Sequence, residues 1–387
     1  MKPDNLWAPL DTSHEAREKI WAVSRSFSQD VWFRFRRKPT AIIGLIMLVL
    51  VAFFSFVGPL FTSFTYSEQN TRLANIPPRL SVTSLQGFDS VFYITHGLRI
   101  IALTPGGRLE RQLELVEDDF VARRIIFAYD DYRQVILDYT ERPIQLLDEN
   151  GYRIAAQSNV WNRTYRLGTD HLGRDILTRL MFGGRISLTI AIIAALANMI
   201  IGTLYGSISG FFGGTVDDVM MRIVDIINTI PVTLYVILIK VAIGGGGLMP
   251  MIIALSSVYW VSMARVVRGQ VLSLKSQEYI MAARTIGTST KEILFRHLVP
   301  NTMGPILVTA TMLIPTAIFM EAFMSFIGIG IAPPMASLGT MSNDATDAMR
   351  SAPYQLFLPA ALICILMFAF SFVGDGLRDA LDPKLKK

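Results

Sequence analysis

The sequence predicts an all-α polytopic membrane protein with six transmembrane helices and an inserted, mainly β extracytoplasmic domain. Three observations support this prediction. The composition is strongly apolar, six apolar runs are long enough to cross a bilayer, and one long connection alternates apolar and polar residues in the manner of β-strands.

The composition favours a lipid environment. Hydrophobic residues make up 51% of the 387 residues and charged residues only 17%, whereas a soluble domain carries about 25% charged residues. The net charge of +5 is explained by Lys and Arg residues that membrane proteins place on the cytoplasmic side of their spans. No nucleic-acid partner is therefore expected. The single cysteine, Cys364, and four scattered histidines offer no disulfide and no metal-ligand spacing.

Six apolar runs are predicted to span the membrane. The first follows a polar tail and is too long for the apolar part of a cleavable signal, so it is interpreted as an uncleaved anchor. The runs cover residues 40–62, 186–210, 219–242, 248–266, 302–328 and 355–376.

Basic residues predict the orientation. Arg34, Arg36, Arg37 and Lys38 precede the first span, and positive charge beside a span is retained in the cytoplasm. Counting crossings gives a cytoplasmic tail (1–39), a first helix (40–62), an extracytoplasmic loop (63–166), a five-helix core (167–376) with a cytoplasmic segment (276–301), and a cytoplasmic tail (377–387).

Residues of about 85–157 are predicted to form the extracytoplasmic β domain. Short apolar runs such as VFYIT, RRIIFAY and QVILDY are separated in places by turn-like TPGG and DENG. The domain could dock a partner or act as a spacer, and the sequence favours neither.

Small residues and prolines predict how the spans pack. Gly202, Gly206 and Gly210 recur every four residues and form one helix face that a neighbouring helix can approach closely. This face could pack inside the chain or against another subunit. Pro231 and Pro315 lie inside predicted spans and favour kinks.

Ionisable residues lie within several of the predicted spans. Asp225 follows Arg222 by three positions, so the two are expected to pair, with a role in the translocation pathway as the alternative. Glu321 has no cation nearby on its own helix and must find its partner elsewhere, which makes it a second pathway candidate. Lys240 is expected to extend to the outer surface.

A polar stretch, Glu278 to Asn301, interrupts the apolar half of the chain. Gly287 suits the left-handed position that ends a helix. Ser289 and Glu292 then form a Ser-x-x-Glu capping box for a second helix. The stretch is therefore predicted to be helix, glycine elbow, helix.

The first of these helices presents a small apolar face. Tyr279, Ala282, Ala283 and Ile286 recur at helical spacing, with Arg284 beside them. Small residues let a helix sink into a groove on a partner protein. The alternative is an amphipathic helix on lipid headgroups, although such helices carry larger apolar residues.

This stretch resembles the EAA loop of the membrane subunits of bacterial ABC importers. In AARTIGTSTKEILFRHLVP, the alanine pair of that loop matches Ala282 and Ala283, its glycine matches Gly287, and its proline matches Pro300. The general motif has an acid before the alanine pair, where this chain has Met281; the peptide-importer branch often differs in the same way.

Further stretches resemble the C-type permease subunit of oligopeptide and dipeptide ABC importers. They are LGTDHLGRDILTRLMFGGRISL (167–188), GTLYGSISGFFGGTVDDVMMRIVDI (202–226), ARVVRGQVLSLK (264–275) and VGDGLRDALDPK (373–384). The resemblance covers about 30–62 and 160–387 and does not extend to the β domain.

The resemblance implies the type I permease fold and a place in a larger assembly. The chain would form half of a channel with a B-type permease in the bacterial inner membrane. Two cytoplasmic ABC ATPases would carry ATP and Mg, leaving this chain without a cofactor or catalytic role, and an extracytoplasmic binding protein would deliver peptide. The chain has no Gly-x4-Gly-Lys-Ser/Thr phosphate loop, which agrees with this division.

The resemblance also implies a coupling role for the polar stretch, which would sit in a cleft of one ATPase. The residues carried over to that role are Glu278, Tyr279, Ala282, Ala283, Arg284, Gly287, Ser289 and Pro300. The cargo stays open between peptides, peptide-like antibiotics and another solute such as nickel.

Two other functional classes are weighed against this one. An ion- or proton-coupled secondary transporter would use Asp225 and Glu321 as its relay, but it leaves the polar stretch unexplained. An intramembrane enzyme would need a nucleophile–base pair or a metal site. No HExxH or GxSxG motif occurs, and no histidine lies in a predicted span.

Overall fold

The computed structural model describes residues 26–140, 144–148 and 155–381. Most of the predicted N-terminal tail, the last residues of the C-terminal tail and part of the predicted DENG turn lie outside these ranges. Among the described residues, the helices form one bundle, and all the strands lie between the first and second long helices.

Five helices are long and apolar enough to cross a membrane: α2, α3, α6, α10 and α12. The helices are α1 (Phe27–Arg37), α2 (Pro39–Phe56), α3 (Ile176–Phe212), α4 (Gly214–Thr229), α5 (Val232–Ile243), α6 (Leu248–Leu274), α7 (Glu278–Thr285), α8 (Thr290–Glu292), α9 (Val299–Asn301), α10 (Met303–Phe326), α11 (Leu338–Asp344) and α12 (Tyr354–Leu381).

The third predicted span is not one helix. α4 ends at Thr229, α5 begins at Val232, and the two are bent by 90°. Pro231 has no amide hydrogen to continue α4 and becomes the residue before α5, so it breaks the segment instead of kinking it. The predicted count of six spans is reached only if this bent pair crosses as one.

The second predicted span is longer than expected. α3 has 37 residues and begins at Ile176, ten residues before the predicted start at 186. The Asp175 carboxylate accepts a hydrogen bond from the Thr178 amide (2.8 Å), which caps the helix. The polar and charged residues of this first part hid the helix from a search for apolar runs. Pro315, by contrast, lies inside an uninterrupted α10.

The glycine face of α3 packs against α6 of the same chain. A Cβ atom at Gly202 would lie 2.5 Å from the Met263 Cβ, and one at Gly206 would collide with the Ala264 carbonyl oxygen. Hydrocarbon provides little hydrophobic force between helices, so close backbone packing supplies the attraction. The glycines thus serve contact within the chain.

The β domain is larger than predicted and extends from Arg79 to Trp161. Its strands are β1 (Arg79–Leu85), β2 (Val91–Ile94), β3 (Ile100–Leu103), β4 (Leu109–Gln112), β5 (Glu114–Asp119), β6 (Arg124–Ala128), β7 (Gln134–Asp138), β8 (Gln145–Asp148) and β9 (Ala155–Trp161). They form two antiparallel sheets, β4-β3-β2-β1-β9 and β5-β6-β7-β8.

Apolar side chains from both sheets meet in one core. Phe92 and Ala102 come from the first sheet, and Phe127 and Leu137 come from the second. The first and last strands pair along their whole length, from Arg79 opposite Trp161 to Leu85 opposite Ala155. The domain therefore leaves and rejoins the bundle at one place.

We predict that Gly206→Ala lowers the melting temperature of the detergent-solubilised chain, because its methyl group would collide with the Ala264 carbonyl of α6. Overpacking of this kind costs about 1–3 kcal/mol. The matched control is Gly269→Ala on α6, where a Cβ meets nothing within 4 Å. Since alanine favours a helix, the control should be neutral or slightly stabilising. Equal melting temperatures for the two variants would contradict the packing role.

Candidate functional site

The polar stretch folds as two short helical segments around a glycine elbow. α7 ends at Thr285, and Gly287 adopts φ +83. The Thr288 amide donates to the Ala283 carbonyl (3.0 Å), as in a helix end with a left-handed residue. Ser289 then accepts from the Glu292 amide (3.3 Å) and caps α8.

Two details of this stretch differ from the prediction. The Glu292 side chain pairs with Arg296 (2.9 Å), so the structure shows one half of the capping box. A π-helical turn, Ile293–Leu298, separates α8 from α9, and Pro300 is exposed within α9. The second helix is therefore irregular and not one continuous α-helix.

α7 divides its residues between a free face and a buried face. Tyr279 and Ile286 are 42% and 82% exposed, and Ala282 is exposed between them. Ala283 was predicted on the same free face but packs inside the chain with Ile280. The surface that a partner can touch is therefore narrower than predicted. Glu278 and Arg284 lie at the edge of this surface and are exposed.

The buried face of α7 connects it to the long helices. Ile280 and Ala283 share a core with Val271 of α6 and Leu298. The Arg284 guanidinium lies over the ring of Phe211, near the end of α3, at 5.1 Å. α7 is therefore packed directly against the ends of α3 and α6.

A partly buried ion pair joins α4 to α6 near that end of the bundle. Arg268 donates two hydrogen bonds to Asp217 (2.6 and 2.5 Å), and Ser209 of α3 donates to the same carboxylate. Lys275 donates to the Gly210 carbonyl (2.9 Å). Three helices are thus tied together beside the polar stretch.

The predicted pairing of Asp225 with Arg222 is wrong. Asp225 accepts a hydrogen bond from Arg265 of α6 (2.8 Å), and both side chains are exposed. The bend between α4 and α5 brings α4 against α6, so a tertiary partner replaces the local one. A role of Asp225 in the pathway stays a prediction.

Glu321 is fully buried and finds its partners among serines. Ser187 of α3 donates to one carboxylate oxygen (2.7 Å), and Ser325 donates to the other (2.8 Å). The Leu338 amide, at the start of α11, donates to the Ser187 hydroxyl (3.3 Å). Glu321 thus joins α3, α10 and α11 and has no solvent-exposed surface in this conformation. Its pathway role stays a prediction.

Lys240 does not extend to the surface as predicted. It is 6% exposed, and its ammonium donates to the Gly330 carbonyl in the loop between α10 and α11. The Ala332 amide donates to Gly246 (2.7 Å), in the turn between α5 and α6. The turn and the loop are therefore fastened to each other, around a cavity of about 570 Å³.

Four charged residues form a network at the wall of this cavity, three of them buried and Asp344 partly exposed. Arg174 and Arg179 both donate to Asp170, and both also reach Asp344 of α11 (3.0 and 3.1 Å). Burial alone would raise the pKa of the Asp170 carboxyl, but the guanidinium groups of Arg179 and Arg174 outweigh it and hold this pKa below its usual value.

Sequence reasoning missed most of these polar contacts. Asp170 and Arg174 stand four residues apart in TDHLGRD, a spacing that could have flagged the local pair. Asp344 lies 165 residues beyond Arg179, and no local pattern links them. Asp217 and Arg268 stand in two stretches that carry the family resemblance, but nothing in those stretches predicts that they pair.

Comparison with known proteins gives consistent similarities. Residues 202–387 match the family model for binding-protein-dependent transport system inner membrane components, and residues 26–78 match that for the N-terminal TM domain of oligopeptide transport permease C. The chain is 38% identical over 385 residues to the oligopeptide transport system permease protein OppC of Bacillus subtilis (strain 168), covering 100% of this chain and 99% of the relative.

A second relative also matches over nearly its whole length. The dipeptide transport system permease protein DppC of Lactococcus lactis subsp. cremoris (strain MG1363) is 34% identical over 375 residues, covering 96% of this chain and 94% of the relative. Among solved structures, one of inward-facing conformations of the MetNI methionine ABC transporter matches 54% of this chain and 96% of that chain, with 20% identity and a TM-score of 0.45.

We predict that Asp170→Asn destabilises the chain at pH 7, since removing one partner of a buried pair costs about 3–5 kcal/mol. A carboxyl whose pKa is lowered by folding contributes stability above the unfolded pKa, and that contribution is lost as the pH falls below about 4. Melting temperatures should therefore fall more steeply between pH 7 and pH 3 in the wild type than in the variant. Exposed Asp131→Asn is the control and should match the wild type; parallel pH profiles for Asp170→Asn would refute the role of this pair.

Proposed function

The chain belongs to the family of binding-protein-dependent transport inner-membrane components, and from this membership we propose that it is the C-type permease of an ATP-driven importer of oligopeptides or dipeptides. The names of its relatives support peptide as the cargo. The observation that carries the mechanism is the exposed face of α7 beside the Gly287 elbow, because a membrane subunit without its own ATPase needs a surface on which ATPase motion acts.

This surface suits a protein partner. Tyr279, Met281, Ile286 and Phe295 are each at least 42% exposed within a stretch that is otherwise polar. Apolar side chains exposed together on a short helix fit a groove on another protein. We infer that the groove belongs to one of two ATPases, which bind ATP and Mg, and that both termini lie on the same cytoplasmic side.

The contacts behind α7 supply a route for the motion. The Arg284–Phe211 contact and the shared core with Val271 would pass a push on α7 to the ends of α3 and α6. The Asp217–Arg268 pair would carry α4 along with α6. These are rigid connections that can move as one body when an ATPase pair closes.

At the far end, the outer opening of the pathway is proposed to lie at the α5–α6 turn and the α10–α11 loop. Lys240 and Gly330 fasten these segments in this conformation. The other half of the channel would come from a B-type permease, and an extracytoplasmic binding protein would release peptide above this opening. Substrate could reach Glu321 only after α3 and α10 separate, since the side chain is fully buried.

The assembly itself is tested by affinity purification of this chain from its native membrane. We expect a second permease and ABC ATPases in stoichiometric amounts, with ATP hydrolysis in the purified fraction. Recovery of a lone chain that transports solute without an ATPase would overturn the proposal and favour a secondary transporter using Asp225 and Glu321.

We predict that Gly287→Val abolishes ATP-driven peptide uptake while the chain still inserts in the membrane. Gly287 has φ +83, which a β-branched residue adopts only with strain. The matched control is Gly87→Val in the β domain, where φ is +84 and the surroundings are equally open. It should suffer the same local strain and keep normal uptake. Normal uptake by the Gly287 variant would remove the coupling assignment.

The β domain is proposed to dock the extracytoplasmic binding protein through the β5–β6 turn, where Phe120 and Val121 are 78% and 97% exposed. We predict that Phe120→Ser combined with Val121→Ser weakens binding of that protein to the assembled transporter about tenfold, as expected for the loss of two central apolar contacts. Tyr132→Ser, in the β6–β7 turn and 89% exposed, is the control. Unchanged affinity in a surface-binding assay would make the domain a spacer.

A further inference from the structure

A polar cavity of about 650 Å³ opens where the β domain meets the membrane bundle. Its walls come from the chain after the first span, the turn between β3 and β4, and the connection between β9 and α3. The lining residues are Ser63, Phe64, Thr104, Gly106, Arg108, Arg163, Thr164 and Arg166.

Three exposed arginines line this cavity, and no carboxylate in the described part of the chain neutralises them. None of the lining residues is acidic, and Arg108, Arg163 and Arg166 form no ion pair with any other residue in the described ranges. Three guanidinium groups around one space repel each other. An anion between them would remove that repulsion.

The walls of the cavity are held in place before any ligand binds. The Arg163 amide donates to the Gly107 carbonyl (2.9 Å), and the Leu109 amide donates to the Thr164 hydroxyl (2.8 Å). The Arg163 guanidinium lies against the β3–β4 turn, 3.9 Å from the Cβ position of Gly106. Phe64 stacks on Tyr165 (5.0 Å between centroids). The arginines are thus presented from a fixed frame.

The length of the first span predicts where the cavity lies relative to the bilayer. α2 has 18 residues, and Gly58–Phe61 adds a 3₁₀ turn. Together they measure about 35 Å at the usual rises of the two helix types, against a hydrocarbon core of about 30 Å. If α2 crosses the bilayer, Ser63 is expected just beyond the hydrocarbon on the side of the β domain.

Apolar side chains lead from the span to the cavity. Val49, Leu50 and Phe53 are exposed along α2, and Leu60 and Phe61 are 78% and 81% exposed just before the cavity. Trp161, at the end of β9, is also exposed; tryptophan is enriched at the membrane–water interface. An acyl chain lying along α2 would thus bring its headgroup to the arginines.

We propose that this cavity binds the phosphate of an anionic phospholipid whose acyl chains lie along α2. Arginine forks donate paired hydrogen bonds to phosphate oxygens, and the hydroxyls of Ser63, Thr104 and Thr164 offer further donors. The bound lipid attaches the β domain to the membrane surface. The proposal depends on α2 spanning the membrane and not on the cargo or the ATPases.

The test is a titration of the purified, delipidated transporter with phosphatidylglycerol, followed by native mass spectrometry. Arg108→Gln, Arg163→Gln and Arg166→Gln are combined in one variant. We expect its affinity for the tightest-bound phosphatidylglycerol to fall at least tenfold, and we expect phosphatidylcholine to bind the wild type much more weakly than phosphatidylglycerol.

The matched control removes the same charge elsewhere on the β domain. Arg79→Gln, Arg99→Gln and Arg123→Gln are all exposed and lie outside the cavity; their affinity should stay within twofold of the wild type. A second variant, Arg163→Lys with Arg166→Lys, keeps the charge but loses the paired N–H donors of the guanidinium groups. It should bind phosphatidylglycerol severalfold more weakly than the wild type does. This variant keeps the test informative if the triple variant does not fold.

Four results would overturn the proposal. The first is equal affinity of the wild type and the cavity variants for phosphatidylglycerol, and the second is equal binding of phosphatidylglycerol and phosphatidylcholine to the wild type. The third is displacement of the bound lipid by an equal concentration of inorganic phosphate. The fourth is a cavity variant that binds lipid as the wild type does but no longer binds the extracytoplasmic partner. The third would assign the cavity to free phosphate, and the last would assign the arginines to carboxylates of a protein.

Discussion

The close contact between α3 and α6 is the constraint on which the other helices depend. Moving an apolar group from lipid into the bundle gains little free energy, so the helices are held by close packing of their backbones. Gly202 and Gly206 allow the backbones of α3 and α6 to come close. α3 also carries Ser187 to Glu321, and α6 carries Arg268 to Asp217. The remaining helices are therefore positioned by groups that this one contact has already fixed in space.

The charged contacts described above lie towards the two ends of the bundle, and each joins two different elements. Asp217 meets Arg268 at the end that carries α7, whereas Lys240 meets the Gly330 carbonyl at the other. An unsatisfied polar group in hydrocarbon costs several kcal/mol, so each contact strongly favours one arrangement. A transporter that alternates between two states must exchange such contacts and cannot simply break them.

Sequence patterns predicted the features that depend on local chemistry. The elbow at Gly287, the long apolar helices and the existence of the β domain follow from glycine conformation and from apolar periodicity. The break at Pro231 did not follow, because proline permits either a kink or an end, and the packing of α4 on α6 decides between them. The start of α3 was missed because Arg179 and Arg185 interrupt the apolar residues of its first turns.

In the candidate site, too, the sequence pattern predicted some features and missed those that depend on tertiary packing. Tyr279 and Ile286 were predicted on a free face and are exposed, but the pattern could not show that Ala283 turns inward, because that depends on the packing of Ile293 and Leu298. The partners of Asp225, Lys240 and Asp344 are all far away in the sequence. A single chain carries no signal for such pairs, since each partner alone looks like an ordinary charged residue.

The pairing of Arg79 with Trp161 has a consequence for how such permeases can diversify. Because the inserted domain begins and ends on neighbouring strands, the distance between α2 and α3 does not depend on what lies between them. A lineage can therefore acquire, exchange or lose this module as a cassette without disturbing the transport machinery. Changes within this module are thus separated from the helix packing of the membrane core.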